Sequence, residues 1–216
     1  MKNYKYILFD LDGTLTDSKV GIVKATQYAL EYFNIKVDDL NELCKFIGPP
    51  IKEAFMEFYN FNEKDTKIAV ERFREYYRET GIWENEPYKH VEKVLKELKD
   101  NGKILMVATS KSTDSAIQIL KHFELLTYFD FIGGSDISKE RNTKGKVIKH
   151  VLDENNISDL SKVLMIGDRK YDCVGAKENN IDSMGVLYGY GSFKELENAE
   201  ANIIVKDIED ISKILI

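Results

Sequence analysis

The stretch Tyr6-Ile7-Leu8-Phe9-Asp10-Leu11-Asp12-Gly13-Thr14 starts as an apolar run and ends in two acids and a glycine. The apolar half reads as a buried strand. Asp10 and Asp12 are spaced by two, so their side chains share a face if the chain stays extended, and Gly13 then permits a sharp turn. Two carboxylates aimed at one point repel each other unless a cation or a shared proton offsets the charge. That arrangement marks a site at a strand end.

Working outward, 216 residues suffice for one sizeable domain or a core carrying a smaller inserted one. With 31 basic against 37 acidic residues and a net charge of −6, a broad basic face for polymeric nucleic acid is not expected. Cys44 and Cys173 lie far apart without zinc-site spacing and read as buried free thiols in a reducing compartment. The N-terminal apolar stretch is short and ends in Asp10, and no run is long enough to span a membrane, so a cytoplasmic protein is expected.

Further apolar runs occur at Ile104–Ala108, Phe129–Ile132, Val163–Ile166, Ser183–Leu187 and Ile203–Val205. From Tyr88 onward they alternate with helical patterns such as Val91, Val94, Leu95 and Leu98, or Val147, Ile148, Val151 and Leu152. The pattern predicts an α/β fold, a Rossmann-like doubly wound parallel sheet with helices on both faces. Between the first two strands lies a long helical segment with helices expected at about 18–34, 50–60 and 63–80, and a turn at Ile47-Gly48-Pro49-Pro50. It reads as an inserted α-helical cap domain, residues 17–82, with the core formed by 1–16 and 83–216.

Ligands of such sheets bind beyond the carboxyl ends of the strands. Asp10 and Asp12 close the first strand, Thr109, Ser110 and Lys111 close the run Ile104–Ala108, and Lys144 opens the helix after Arg141-Asn142-Thr143. Gly167-Asp168 closes Val163–Ile166, with Asp172 four residues on. This series, Asp-x-Asp-Gly-Thr, a strand-end hydroxyl, a lone lysine and Gly-Asp-x-x-x-Asp, resembles the phosphatases of the haloacid dehalogenase superfamily. The resemblance covers essentially the whole chain, since the helical insertion falls where one subgroup carries its cap.

The resemblance implies a Mg²⁺-dependent phosphomonoester hydrolase. Asp10 would be the nucleophile that forms an aspartyl-phosphate, and Asp12 the acid for the leaving oxygen and then the base for water. Mg²⁺ would be held by Asp10, the main-chain carbonyl of Asp12, and Asp168. Asp172, one helical turn beyond, would either bind the metal or orient a water or Lys144. Thr109 would donate its hydroxyl to a phosphoryl oxygen, helped by the Ser110 N–H at a helix start, and Lys144 would supply fixed positive charge. Lys111 is either a substrate contact or a solvated residue at that helix start. Leu11, beside the nucleophile, and Gly48 and Pro49 of the cap turn complete the candidate substrate contacts.

Asp12 separates the chain from the dehalogenase branch, which lacks the second aspartate. A hexose-phosphate mutase and a non-catalytic binding protein on the same fold remain the alternatives. Phe46–Ile51, Arg141–Lys144 and Gly185–Gly191 resemble segments of bacterial proteins labelled phosphoglycolate phosphatase or 5′-nucleotidase-like, so phosphoglycolate and nucleoside 5′-monophosphates compete as substrates. The implied partner is a small-molecule phosphate ester, with neither polymeric nucleic acid nor a membrane, and the chain is expected to be a monomer or weak homodimer. His90, His122 and His150 do not converge and read as structural or solvated. Tyr28, Tyr32, Phe33, Phe55, Phe58 and Tyr59 read as cap core, with one ring available to stack on substrate.

Overall fold

The computed structural model describes residues 2–136 and 141–216. The chain forms two compact units, Met1–Thr16 with Pro87–Ile216, and Asp17–Glu86. In chain order it begins with β1 (Tyr6–Phe9) and β2 (Thr16–Asp17), then α1 (Lys19–Glu31), α2 (Ile51–Tyr59) and α3 (Glu63–Tyr76). It continues with β3 (Glu86–Pro87), α4 (Val91–Asp100), β4 (Ile104–Ser112), α5 (Thr113–His122), β5 (Phe131–Ser135) and α6 (Lys144–Glu154). The last elements are β6 (Val163–Gly167), α7 (Lys170–Glu178), β7 (Asp182–Val186), α8 (Phe193–Asn198), β8 (Ile203–Val205) and α9 (Glu209–Leu215).

Six parallel strands of the first unit make one sheet in the order β5-β4-β1-β6-β7-β8. In β1, Leu8 sits opposite Met106 of β4 on one side and Met165 of β6 on the other. On one face, Leu8, Met106, Ala108, Val163 and Met165 pack with Val147, Ile148 and Val151 of α6 and Ala176 of α7. The alternate residues Ile7, Phe9, Leu105, Val107, Leu164 and Ile166 are buried as well, so the sheet is covered on both faces and its strands read as unbroken apolar runs. The chain works away from β1 in one direction through β4 and β5 and in the other through β6, β7 and β8. Strand order therefore reverses between β1 and β6, and the crevice beyond their carboxyl ends is the switch point where such sheets take ligands.

The helical unit is punctuated by local chemistry. Pro50 sits at the head of α2, where a missing N–H costs nothing, and Asn60 ends that helix in the left-handed region at φ 52°. Asn62 then starts α3 by accepting the Asp65 N–H at 2.9 Å. The helix α1 stops at Glu31, earlier than its apolar pattern suggests, and a 3-10 segment at Leu40–Phe46 buries Leu43 and Phe46. After Tyr76 the helix widens into a π-turn at Tyr77–Gly81. Residues 83–86 group with this unit, because the Glu84 carbonyl accepts the Gly21 N–H at 3.1 Å and Glu84 pairs with Lys24 at 2.5 Å.

Two details differ from the sequence reading of the aromatic and thiol positions. Tyr32 is 55% exposed rather than core, and the Arg72 guanidinium lies over the rings of Tyr28 and Tyr32 instead. Cys44 is half-buried, whereas Cys173 is buried; both are free thiols. His150 is bonded to Arg141 at 3.0 Å and His122 packs on Phe123, so neither joins the acids described below.

Candidate active site

Beyond Phe9 the chain tightens into a turn around one carbonyl. Leu11 O accepts the N–H groups of Thr14, Leu15 and Thr16, and Gly13 takes φ 83° to allow it. A Cβ at Gly13 would fall 2.3 Å from Asp168 Oδ2, so only glycine leaves room for the acid at the end of β6. Residues read far apart in the sequence meet here. The carboxylates of Asp10, Asp168 and Asp172 each offer an oxygen, all within 4.8 Å of one another, and all three residues are buried.

Lys144 is the counterion. Thr143 caps α6 by accepting the Lys146 N–H at 3.3 Å, which fixes Lys144 as the first residue of the helix. Its ammonium lies 2.8 Å from Asp10 Oδ1 and 2.9 Å from Asp172 Oδ1, and it donates to the Ala108 carbonyl at 3.1 Å. Burial works against the lysine's charge, but the two carboxylates more than reverse this and hold it above the usual lysine range. Asp10 Oδ1 also accepts the Leu11 N–H at 2.7 Å, so two donors on one oxygen set the direction of this carboxylate.

Asp172 is held at both oxygens, since Oδ2 accepts the Arg169 N–H at 3.1 Å. Arg169, not Asp168, occupies the cap position of α7, which leaves Asp168 clear of helix capping. Asp168 instead accepts the Tyr190 N–H at 2.8 Å and faces the Thr14 hydroxyl at 3.5 Å. The backbone of residues 189–191 packs directly on this acid. A Cβ at Gly189 would lie 2.4 Å from Asp168 Cβ, and one at Gly191 would lie 1.8 Å from its carbonyl oxygen.

Burial pushes Asp10 up, Lys144 pulls it back and Asp172 raises it again, so Asp10 stays above the usual carboxylate range. Asp168 is pushed further, by burial first and then by the charges of Asp172 and Asp10, against the pull of the Tyr190 N–H and Arg169. Three carboxylates against one ammonium leave an excess of negative charge that a divalent cation would neutralise. Buried, hard oxygen donors at this spacing suit a hard divalent cation.

The Asp12 carboxylate lies outside this group of three. Its Oδ2 pairs with Lys111 at 3.1 Å, while Oδ1 is buried and takes no hydrogen bond from the described residues. Thr109 is buried at the site end of β4 and accepts the Lys111 N–H at 3.3 Å, which leaves its own proton to donate elsewhere.

A model of the haloacid dehalogenase-like hydrolases matches residues 7–186. The chain belongs to that family. A 5′-nucleotidase of Pseudomonas aeruginosa is 39% identical over 98% of this chain and 96% of its own. Two more distant relatives carry other names: the tyrosine-protein kinase PtkA of Mycobacterium tuberculosis, 31% identical over 92% of this chain and 67% of that protein, and a phosphoglycolate phosphatase of Vibrio cholerae, 26% identical over 100% and 99%. The crystal structure of a predicted phosphatase from Clostridium acetobutylicum superposes with a TM-score of 0.95 at 48% identity, covering 98% of each chain. The protein is thus a haloacid dehalogenase-like hydrolase, an enzyme of phosphoric monoesters.

One expectation about this family member's second motif needs correction. Ser110 and Lys111 do not sit at a helix start. β4 continues to Ser112, with an irregularity in its pairing to β5 between Ala108 and Ser112, and α5 begins at Thr113. The reason is the cap: Ser112 accepts the Ser115 N–H, so the helix cannot begin earlier. Gly48 and Pro49 lie in the helical unit, in the turn before α2, with Gly48 at φ 106°. Residues 188–191, which the sequence offers only within a segment resembling those of other phosphatases, enter the site by packing on Asp168. Their signal is the pair Gly189 and Gly191 just past a strand, a pattern of close backbone approach.

Proposed function

We propose that this hydrolase releases phosphate from a small phosphorylated metabolite by a Mg²⁺-dependent, aspartyl-phosphate mechanism. The observation that carries the reading is the Asp10 carboxylate directed by Lys144 at 2.8 Å and the Leu11 N–H at 2.7 Å, beside the acids Asp168 and Asp172. Asp10 attacks phosphorus, and the bond to the leaving oxygen breaks as Asp12 protonates it. Asp12 then takes a proton from the water that attacks the aspartyl-phosphate. Thr109, with its oxygen already accepting from Lys111, donates its hydroxyl to a phosphoryl oxygen. Lys144 balances charge on Asp10 throughout, and Asp172 keeps that lysine in place. Asp10, the Asp12 carbonyl and Asp168 would hold Mg²⁺, whose charge would draw the phosphoryl oxygens and offset the carboxylates.

Nucleoside 5′-monophosphates are the favoured substrate class, supported by the 5′-nucleotidase name of the relative at 39% identity, with phosphoglycolate as the competitor. The helical unit would act as the cap that selects among them, with Gly48 and Pro49 as its contacts. The reading includes a monomer or weak homodimer working in the cytoplasm; no helix among the described residues is long and apolar enough to cross a membrane. The test is phosphate release with Mg²⁺ from a panel of 4-nitrophenyl phosphate, nucleoside 5′-monophosphates, phosphoglycolate, and hexose and pentose phosphates, beside Asp10→Asn. Release that vanishes in chelator and in the variant is expected. Silence from the folded wild type on every ester would overturn the reading.

A further inference from the structure

Lys111 is built into the protein rather than left to solvent. Its ammonium lies 3.1 Å from Asp12 Oδ2, and the two side chains are only 9% and 12% exposed. The backbone beneath it is fixed from three directions. Its N–H is held by Thr109 Oγ1 at 3.3 Å, pairing with β5 resumes one residue later at Ser112 opposite Ser135, and Gly134 lies so close that a Cβ there would fall 2.6 Å from the Lys111 carbonyl. The extension of β4 past Ala108 thus carries a long side chain to one particular oxygen. The other oxygen, Asp12 Oδ1, is buried and takes no hydrogen bond from the described residues.

We infer that Lys111 is a positioning residue for proton transfer, anchoring Oδ2 of Asp12 so that Oδ1 is the oxygen presented to the leaving group and then to water. The inference rests on the reading of Asp12 as acid and base. A carboxylate with both oxygens unanchored samples rotations that carry the proton away from the bond being broken, and general acid catalysis depends on that alignment. Lys111 does this work through Asp12, without touching substrate. A lysine that bound the phosphoryl group instead would contribute equally to esters of every leaving group, because the phosphoryl group is the same in all of them.

The experiment compares Lys111→Met, Lys111→Arg and Asp12→Asn on two esters by the single-turnover rate of leaving-group release with enzyme in excess, which isolates the first step from hydrolysis of the shared aspartyl-phosphate. One is 4-nitrophenyl phosphate, whose leaving group departs without a proton; the other is whichever of adenosine 5′-monophosphate and phosphoglycolate the wild type hydrolyses faster. For Lys111→Met, that rate on the alkyl ester falls about 10- to 100-fold, a part of the roughly 10²- to 10⁴-fold that a positioned acid contributes. Its rate on the aryl ester and the half-saturating concentration of both esters in the single turnover change by less than about threefold, because the aryl leaving group needs no proton and ground-state binding is untouched. Lys111→Arg, which keeps a cation within reach of Oδ2, recovers most of the alkyl-ester rate. Equal losses in the leaving-group release rate on both esters, or a loss confined to the half-saturating concentration, would overturn the inference. Asp12→Asn separates the two levels of the argument. If it shows the split in leaving-group release and Lys111→Met does not, only the role of Lys111 falls; if Asp12→Asn slows leaving-group release from both esters equally, the acid–base reading falls and takes the inference with it. Should Lys111→Met fail to fold by near-ultraviolet circular dichroism, Lys111→Gln, which keeps a stem and a polar tip, carries the same comparison.

Discussion

Lys144→Met removes the ammonium from the middle of the acidic cluster while nearly preserving its volume. The lost contacts are those at 2.8 Å to Asp10, 2.9 Å to Asp172 and 3.1 Å to the Ala108 carbonyl, all in the buried interior. Removing one partner of a buried ion pair costs about 3–5 kcal/mol because the remaining charge is left uncompensated. The sign of the pH dependence follows from Asp10. Burial already holds this acid above its usual range and Lys144 acts against that, so the variant raises it further. A group raised in the folded state gives stability that is present at low pH and is lost as pH rises through its folded value. In chelator, the deficit of Lys144→Met is therefore larger at about pH 8 than at about pH 5. Urea unfolding followed by circular dichroism, with hydrogen exchange of β1 and β6 reporting on the core itself, measures both quantities. Adding Asp10→Asn to the variant should restore at least about 1 kcal/mol at the higher pH, since the two sites are in contact. A deficit under about 1 kcal/mol at pH 8, a size suited to a surface pair, would refute the reasoning, as would a deficit that grows toward acid.

Gly189→Ala would set a Cβ 2.4 Å from Asp168 Cβ and 2.3 Å from the Gly13 carbonyl. An overpacking cost of about 1–3 kcal/mol on this acid should raise the Mg²⁺ concentration for half-activity roughly 5-fold or more, read by metal titration, and an unchanged midpoint would count against the cradle. Cys44 should be alkylated well before Cys173, which is 2% exposed and whose thiol burial pushes up to about 11; peptide mass spectrometry showing equal rates would contradict the packing of α7. Asn62→Ala should destabilise the start of α3 by about 1 kcal/mol. Hydrogen exchange would show faster opening in α3 with β1 unaffected, and a uniform change across both would be inconsistent with two compact units.

Strand ends were the most legible part of the chain. Tyr6–Phe9 and Val163–Ile166 are buried on both faces, so their composition alone announces them, and each hands its following aspartate to the same crevice. Lys144 is legible only through its register with the other three motifs, since a lysine opening a helix after Thr143 is otherwise an ordinary surface residue. The segment after Ala108 was not, because strand and helix start differ there by one serine: Ser112 rather than Ser110 accepts the capping N–H, and Lys111 consequently leans on Asp12. The apolar run at Phe129–Ile132 begins two residues before β5, since Phe129 is apolar but follows a 3-10 turn at Leu126–Tyr128. The support of Asp168 by residues 189–191 depends on backbone N–H groups and absent side chains, neither of which a pattern of apolar and charged letters records. Tyr188 is similar: its hydroxyl donates to the Thr14 carbonyl at 2.9 Å, tying the loop after β7 to the turn after β1 across 174 residues of sequence.

The central claim is that Asp10 carries the phosphoryl group. It is tested most directly by mixing the Asp12→Asn variant with 4-nitrophenyl phosphate and Mg²⁺, quenching in acid within milliseconds to seconds, and mapping phosphate on the peptides. The variant still expels an aryl leaving group but lacks the base for hydrolysis, so phosphate should accumulate on the peptide containing Asp10 and be absent when Asp10→Asn is added. Phosphate on another residue, or none while 4-nitrophenol is released in a burst, would contradict the assignment.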